Sequence, residues 1–240
     1  MSPTAPELSV VLPAFNEEES LPEVWSELGA VLDALGRPAE VIFVDDGSVD
    51  ATPEIVRAMR AKDPRVRLLR LAANRGLSAA LDAGLERARG RIIVTMDSDL
   101  QNDPHDIPRM LAALEGYDAV TGWRQARDDP WLKRASSRIA NAVRNAITRE
   151  HVRDSACTLR VIRRACLPCL PRFRGFHRFV PTLLRLAGCR VLELPVRHRA
   201  RRFGVSHYGI RNRVVVAFED LLAVRWMQDR WLRYDASEEP

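Results

Sequence analysis

The stretch Arg91-Ile92-Ile93-Val94-Thr95-Met96-Asp97-Ser98-Asp99-Leu100-Gln101 limits what this chain can be more than any other. Its apolar, β-branched first half reads as a buried strand. The strand ends in two carboxylates spaced i, i+2, with an amide at i+4. Side chains two apart at an extended strand end project to the same side. Two carboxylates and an amide carbonyl are hard oxygen donors, suited to Mg²⁺ or Mn²⁺ and poorly suited to zinc. A donor set as small as Asp97, Asp99 and Gln101 leaves positions for the phosphate oxygens of a substrate. On its own an Asp-x-Asp reads more readily as an acidic loop after a strand. The rest of the chain decides between the two.

Strand and helix patterns alternate along the first half. Residues 8–14 form an apolar run, followed by acids at Glu17, Glu18 and Glu19 and an amphipathic pattern to about Leu35. Acids in a first helical turn suit the helix dipole. Gly36-Arg37-Pro38 stops that helix, and residues 40–45 make a second strand. Asp45-Asp46-Gly47-Ser48 is a turn, and Thr52-Pro53 opens the next helix. Val66 to Leu71 is a third strand. Asn74-Arg75-Gly76 leads into a helix ending near Gly90, and the strand ending at Asp97 follows. Such alternation predicts a mostly parallel sheet with helices on both faces. Ligands of these sheets bind beyond the carboxyl ends of the strands. That rule gathers Pro13 to Glu17, Asp45 to Ser48, and Asp97 to Asp99 on one edge. So many acids need hydrogen-bond donors or cations among them, such as ribose hydroxyls, a base edge and a divalent metal. No GxGxxG or GxxxxGK[ST] is present, which argues against a dinucleotide dehydrogenase and a P-loop enzyme.

The second half continues with a helix from Pro104 to about Leu114 and a strand over Tyr117 to Trp123 that runs into Arg124. A helix over 130–147 carries Arg134, Arg138 and Arg144. Asp154 to Arg160 reads as a strand entered from a loop, Arg178 to Gly188 as a helix, and Arg190 to Val196 as a late strand. A basic loop over 197–207 and an apolar-rich helix over about 214–232 close the pattern. Charge is split between the halves. Residues 1–120 hold 12 basic and 21 acidic side chains, whereas residues 121–240 hold 25 and 11. A basic half rich in Arg points to an anionic partner. No run of about 18 apolar residues occurs, so no membrane-spanning helix is expected. The polar start at Met1 to Glu7 does not read as an export signal, so the expected setting is the cytoplasm. Cys157, Cys166, Cys169 and Cys189 are then expected as free thiols. The Cys166-x-x-Cys169 spacing lacks a second pair or a nearby histidine motif, so structural cysteines are expected there.

Taken together, Asp45-Asp46-Gly47-Ser48, Asn74-Arg75-Gly76 and Asp97-Ser98-Asp99-Leu100-Gln101-Asn102-Asp103-Pro104 resemble family-2 glycosyltransferases with the GT-A fold. Gly122-Trp123-Arg124, Asp154-Ser155-Ala156-Cys157 and the run Arg201-Arg202-Phe203-Gly204-Val205-Ser206-His207-Tyr208-Gly209 narrow the likeness. They resemble the polyprenyl-phosphate glycosyltransferases, a group that includes dolichol-phosphate mannosyltransferase and the undecaprenyl-phosphate aminoarabinose and glucose transferases. The resemblance covers about residues 8–213, leaving 214–240 as a C-terminal amphipathic helix and acidic tail. Ala156 stands where relatives usually have Gly, His207 stands where they usually have Lys, and a pair of C-terminal membrane helices found in several relatives is absent.

The resemblance implies inverting transfer of a sugar from a nucleotide diphosphate sugar to a polyprenyl phosphate. It places Pro13, Phe15, Glu17 and Asp46 at the nucleoside. Asp97, Asp99 and Gln101 hold the metal, Mg²⁺ or Mn²⁺, and Asp97 and Ser98 also count among the substrate-binding residues. Arg124, Arg138, Arg201 and Ser206 lie toward the phosphates, with Asp99, Arg124 and Arg201 as the catalytic set. Cations at a departing diphosphate act mainly in the transition state. An ionised acceptor phosphate attacks without a strong base, whereas a hydroxyl acceptor needs a positioned carboxylate, for which Asp154 is the obvious candidate. The alternatives are a saccharide hydroxyl acceptor, or an inactive nucleotide-sugar fold that binds polyanions or membranes. Nucleic acid is the weakest reading, because the basic residues come without interleaved aromatics. Trp226 and Trp231 with nearby Arg suit peripheral attachment of the last helix to the cytoplasmic face of a membrane. Core packing, a contact between copies of the chain, or a membrane protein that presents the lipid are the competing uses.

Overall fold

Runs such as Val10-Val11-Leu12 and Val41-Ile42-Phe43-Val44 leave no polar face for water, and both lie in strands covered on two sides. The computed structural model describes residues 5–124, 141–200 and 210–232, with backbone only over 210–215. In chain order the elements are β1 (Leu8–Ala14), α1 (Leu21–Leu35), β2 (Ala39–Asp45), α2 (Thr52–Lys62), β3 (Val66–Arg70), α3 (Leu77–Arg87) and β4 (Ile92–Thr95). There follow α4 (Ile107–Ala112), β5 (Ala119–Arg124), a helical stretch α5 (141–148), β6 (Arg160–Arg163), α6 (Val180–Leu186), β7 (Val191–Val196) and α7 (Ile210–Arg230).

The strands form one seven-stranded sheet in the order β3-β2-β1-β4-β6-β5-β7. β1 to β4 run parallel, β7 runs parallel to β5, and β6 is antiparallel to β4 and β5. Alternate residues along each strand feed two cores. Leu8, Val10, Leu12 and Phe43 pack against α1, α2 and α4, while Val11, Ile42 and Ile93 pack against α3, α6 and α7. From α7 the second core receives Leu221 and Val224, so the last helix is packed onto the sheet domain.

Several element ends differ from the sequence reading. β4 stops at Thr95, two residues short of Asp97. Met96 N–H still reaches Val11 O, after which the backbone leaves the ladder. The helix expected from Pro104 opens instead as a 3-10 turn, because the Asp103 carboxylate accepts the His105 N–H. The strand expected from Asp154 begins only at Arg160. Asp154 folds back to accept the Ala156 N–H at 3.1 Å, which holds the preceding residues in a turn. Cys166 and Cys169 sit on a 3-10 turn as free thiols, and burial pushes Cys166 up to about 12.

At the sheet edge where β1 and β4 begin, Glu40 is a buried hub. Its Oε1 accepts from Ser9 Oγ at 2.6 Å and Arg89 N at 2.7 Å, and its Oε2 from Arg67 Nη1 at 2.6 Å and Arg89 Nη2 at 2.8 Å. Burial alone would raise the Glu40 pKa. The donors outweigh it and hold the carboxyl below its usual range. Stability from a depressed carboxyl is full above its unfolded pKa and is lost as pH falls through the folded value. Glu40→Gln should therefore cost about 3 kcal/mol near neutral pH. The gap to wild type should narrow below about pH 4. Denaturant unfolding at several pH values checks this.

Candidate active site

The parallel register brings the carboxyl ends of three strands level. Ala14 lies opposite Asp45 and Val11 opposite Thr95, so the loops after β1, β2 and β4 meet. The first two latch together. Asn16 N donates to Ser48 Oγ at 3.0 Å, its Oδ1 accepts Val49 N at 3.0 Å, and Glu17 N donates to Thr52 Oγ1 at 2.8 Å. Asn16 takes a left-handed backbone (φ 54°), which Asn tolerates better than most residues. Asp46 explains the Asn74-Arg75-Gly76 motif. Its carboxylate accepts the Arg75 and Gly76 N–H groups at 2.7 and 2.8 Å, tying the loop before α3 to the end of β2. Gly47 makes that approach feasible. A Cβ there would lie 2.6 Å from the Ala73–Asn74 backbone, and its φ is +72°.

The Asp97–Gln101 turn is bound on both sides. Ser98 Oγ donates to Pro13 O at 2.8 Å, and Ser20 Oγ lies 2.8 Å from Ser98 O and 2.6 Å from Glu17 Oε2. Leu100 adopts φ 63°, rare for a bulky residue, with its side chain sunk into the first core at 3% exposure. That anchor reverses the chain and lets Asp99 Oδ1 accept the Gln101 N–H at 3.1 Å. Asp99 is buried, and Asp97 and Gln101 are half-buried. This set of two carboxylates and one amide fits Mg²⁺ or Mn²⁺.

The start of the basic loop is fastened to the same turn. Arg199 N donates to Gln101 O at 2.9 Å, and Asn102 bridges to His198. The Arg199 guanidinium reaches Glu27 at 2.7 Å and Asp103 at 3.1 Å, and His105 Nδ1 lies 2.8 Å from Asp103. Glu27, Asp103 and His105 have the spacing of a metal cluster, but the guanidinium already supplies the cation. Burial would raise the Asp103 pKa, yet His105 and Arg199 hold it below the usual range.

Arg124, at the end of β5, is committed to a partner. Its Nε and Nη2 grip Asp154 at 2.6 and 2.9 Å, a bidentate pair with both side chains largely buried. The Arg153 guanidinium stacks 5.2 Å from the Trp123 ring centroid. Arg144 turns inward, donating to Thr182 Oγ1 at 2.6 Å, and burial lowers it to about 10.

Of the residues singled out in the sequence, Pro13, Phe15, Glu17, Asp46, Asp97, Ser98, Asp99, Gln101 and Arg124 lie in the loops and strand ends of this edge. Arg138, Arg201 and Ser206 lie outside the described residues. Sequence reasoning missed Glu27, Asp103 and Arg199 as a linked group, and Arg160 as a buried charge on β6. A signal for Arg160 was present, since it is a cation inside the apolar run Leu159 to Ile162.

The family model of glycosyl transferase family 2 matches residues 9–170. The undecaprenyl-phosphate 4-deoxy-4-formamido-L-arabinose transferases of Edwardsiella ictaluri and Aeromonas hydrophila are each 36% identical over 214 residues, covering 88% of this chain and 66% of theirs. The chain thus spans about two thirds of the length of these curated relatives. Among solved structures, it is similar to a Mycobacterium tuberculosis glucosyl-3-phosphoglycerate synthase in complex with Mn²⁺, UDP and phosphoglyceric acid. That match has a TM-score of 0.69, 22% identity and coverage of 93% of this chain and 78% of the other. A Pyrobaculum calidifontis mannosyltransferase in complex with GDP-Man and Mn²⁺ matches with a TM-score of 0.65, 21% identity and coverage of 97% and 66%. Both likenesses show the GT-A fold. With the family model spanning β1 to β6 and the Asp97–Gln101 turn, the chain belongs to glycosyl transferase family 2.

Proposed function

We propose that this chain transfers a sugar, with inversion, from a nucleotide diphosphate sugar to a polyprenyl phosphate. The Asp97–Gln101 turn carries the donor half of the reading. It is a hard-donor set held between the β1 loop and the root of the basic loop. The names of the curated relatives support the acceptor half. Pro13, Phe15, Glu17, Asp46 and Ser98 form the nucleoside side. Arg124, Arg138, Arg201 and Ser206 serve the phosphates. Mg²⁺ or Mn²⁺ held by Asp97, Asp99 and Gln101 would neutralise charge on the departing diphosphate. An acceptor phosphate oxygen bonds to the anomeric carbon as the bond to the nucleoside diphosphate breaks, and the diphosphate leaves with the electron pair. No proton need be removed from an ionised phosphate. The bidentate Arg124–Asp154 pair favours this acceptor over a hydroxyl, because it engages the carboxylate a hydroxyl would need as base.

Membrane attachment in this reading is peripheral, and residues 214–240 act as the attachment region beyond the catalytic unit 1–213. Among the described residues no helix is long and apolar enough to cross a membrane. On α7, Phe218, Leu222 and Trp226 recur every four residues on one face and are 48, 49 and 64% exposed. Such a stripe on a helix suits the boundary between headgroups and acyl chains.

Incubation of the chain with a panel of nucleotide sugars, undecaprenyl phosphate and Mn²⁺ should yield a lipid-linked sugar. Asp99→Ala should lower that rate by at least about 10²–10³-fold. Product formed only on a saccharide hydroxyl would transfer the assignment to the other acceptor class. Sedimentation with vesicles should show more binding to anionic than to neutral lipid, weakening with salt. Trp226→Ala should reduce that binding, and equal binding by this variant would remove α7 from the attachment surface.

A further inference from the structure

Arg160 is the largest fully buried side chain among the described residues, at 1% exposure, and no step described above uses it. β6 sets it opposite Thr95 of β4 on one side and Thr121 of β5 on the other. It therefore sits where the chain is about to become Asp97 in one direction and Arg124 in the other. Strand alternation fixes its face. Val161 feeds the first core and Ile162 the second, so Arg160 lies on the second face, with Ile93 and Thr95. Asp97, two residues past Thr95, borders that same side. Arg160 and Asp97 line one cavity of about 10 Å³, together with Pro13, Thr95, Thr158 and His177.

A guanidinium taken out of water costs several kcal/mol unless its surroundings compensate. Here Nη2 donates to His177 O at 3.0 Å and Ser155 O at 3.4 Å, while buried Nε has no hydrogen-bond partner. Burial pulls its pKa down, and the negative charges around it, Asp97 and Asp154 among them, oppose that. A neutral side chain of similar size would fill the position at lower cost, so the charge is the property to be explained. The two carbonyl contacts hold one nitrogen of the fork, Nη2, between the loop before β6 and the turn before α6.

The geometry points to Arg160 as the positioning residue for Asp97. Fixed beneath the end of β4, it holds the carboxylate in the orientation that completes the Asp97–Asp99–Gln101 set. It touches neither donor nor acceptor, and acts through Asp97 alone. The inference rests on the reading of Asp97 and Asp99 as metal ligands.

The test measures Mn²⁺ binding to the full chain without any substrate, from the free-ion signal in electron paramagnetic resonance. Arg160→Lys keeps the charge and loses the fork, and Arg160→Met keeps the bulk and loses the charge. Asp99→Ala serves as the reference for loss of a ligand. Outer-shell partners of metal ligands typically contribute about 10–100-fold in affinity. Arg160→Lys should weaken Mn²⁺ by about 10-fold and Arg160→Met by more, with melting temperature recorded on the same samples. A merely structural role would lower the melting temperature and leave the Mn²⁺ affinity of the folded fraction unchanged. That result for both variants, with Asp99→Ala losing the ion, overturns the inference and spares the metal reading. Mn²⁺ binding that survives Asp99→Ala instead overturns the metal reading itself. If Arg160→Met does not fold, Arg160→Lys alone decides, since wild-type affinity in that variant contradicts the claim.

Discussion

Repulsion among buried carboxylates is the constraint around which this structure is arranged. Asp45, Asp46, Asp99, Asp103, Asp106 and Asp154 are all 7% exposed or less, and they gather toward the edge where β1, β2, β4 and β5 end. Each has a different compensation, Asp99 taking the Gln101 N–H. Asp45 accepts Ser48 N–H and pairs with Arg70, Asp46 takes two backbone amides, Asp103 pairs with Arg199, and Asp106 accepts Arg197 N–H. Asp154 has the Arg124 fork. These partners come from the loops that follow β2, β3, β4 and β7 and from the ends of β3 and β5, so the acids bind these segments to one another as much as they shape a ligand site. Removing any one donor leaves a desolvated charge, which costs more than the bond itself contributes.

The same arrangement accounts for the division of charge along the chain. The acidic first half supplies all of these carboxylates but Asp154, and the basic second half supplies much of what faces them. Arg124, Arg160, Arg197 and Arg199 all reach the edge from β5, β6 or the end of β7. β6 is what makes this possible. Because it runs antiparallel, its first residue rather than its last lies beside the carboxyl end of β4, and beside Thr121 midway along β5. A parallel strand there would carry Arg163, not Arg160, to the site.

The elements were legible where apolar runs are long and bounded by turn residues, as in β1, β2 and α1. The Asp97–Gln101 motif was legible because its parts are adjacent. Less of the site's support was visible, since Glu27 and Arg199 are 172 residues apart and Arg124 and Asp154 are 30 apart. Periodicity carries no information about such pairs. It also gives no strand order, so β6 read as one more strand and its direction became visible only in the sheet. The end of β4 was misplaced by two residues for a related reason. Met96 continues the apolar pattern, but it is the Leu100 anchor, made by tertiary packing, that takes the chain out of the ladder.

The central claim is that the Asp97–Gln101 turn is completed by a divalent cation shared with a nucleoside diphosphate. Two carboxylates and a diphosphate repel each other without the ion, so binding of the two should be strongly linked. Calorimetric titration of the wild-type chain with a panel of nucleoside diphosphates, in Mn²⁺ and again in EDTA, measures that linkage directly. The account predicts that at least one member of the panel binds in Mn²⁺ and that its affinity falls by about 10-fold or more in EDTA. Affinity for that nucleotide left unchanged by EDTA would contradict it.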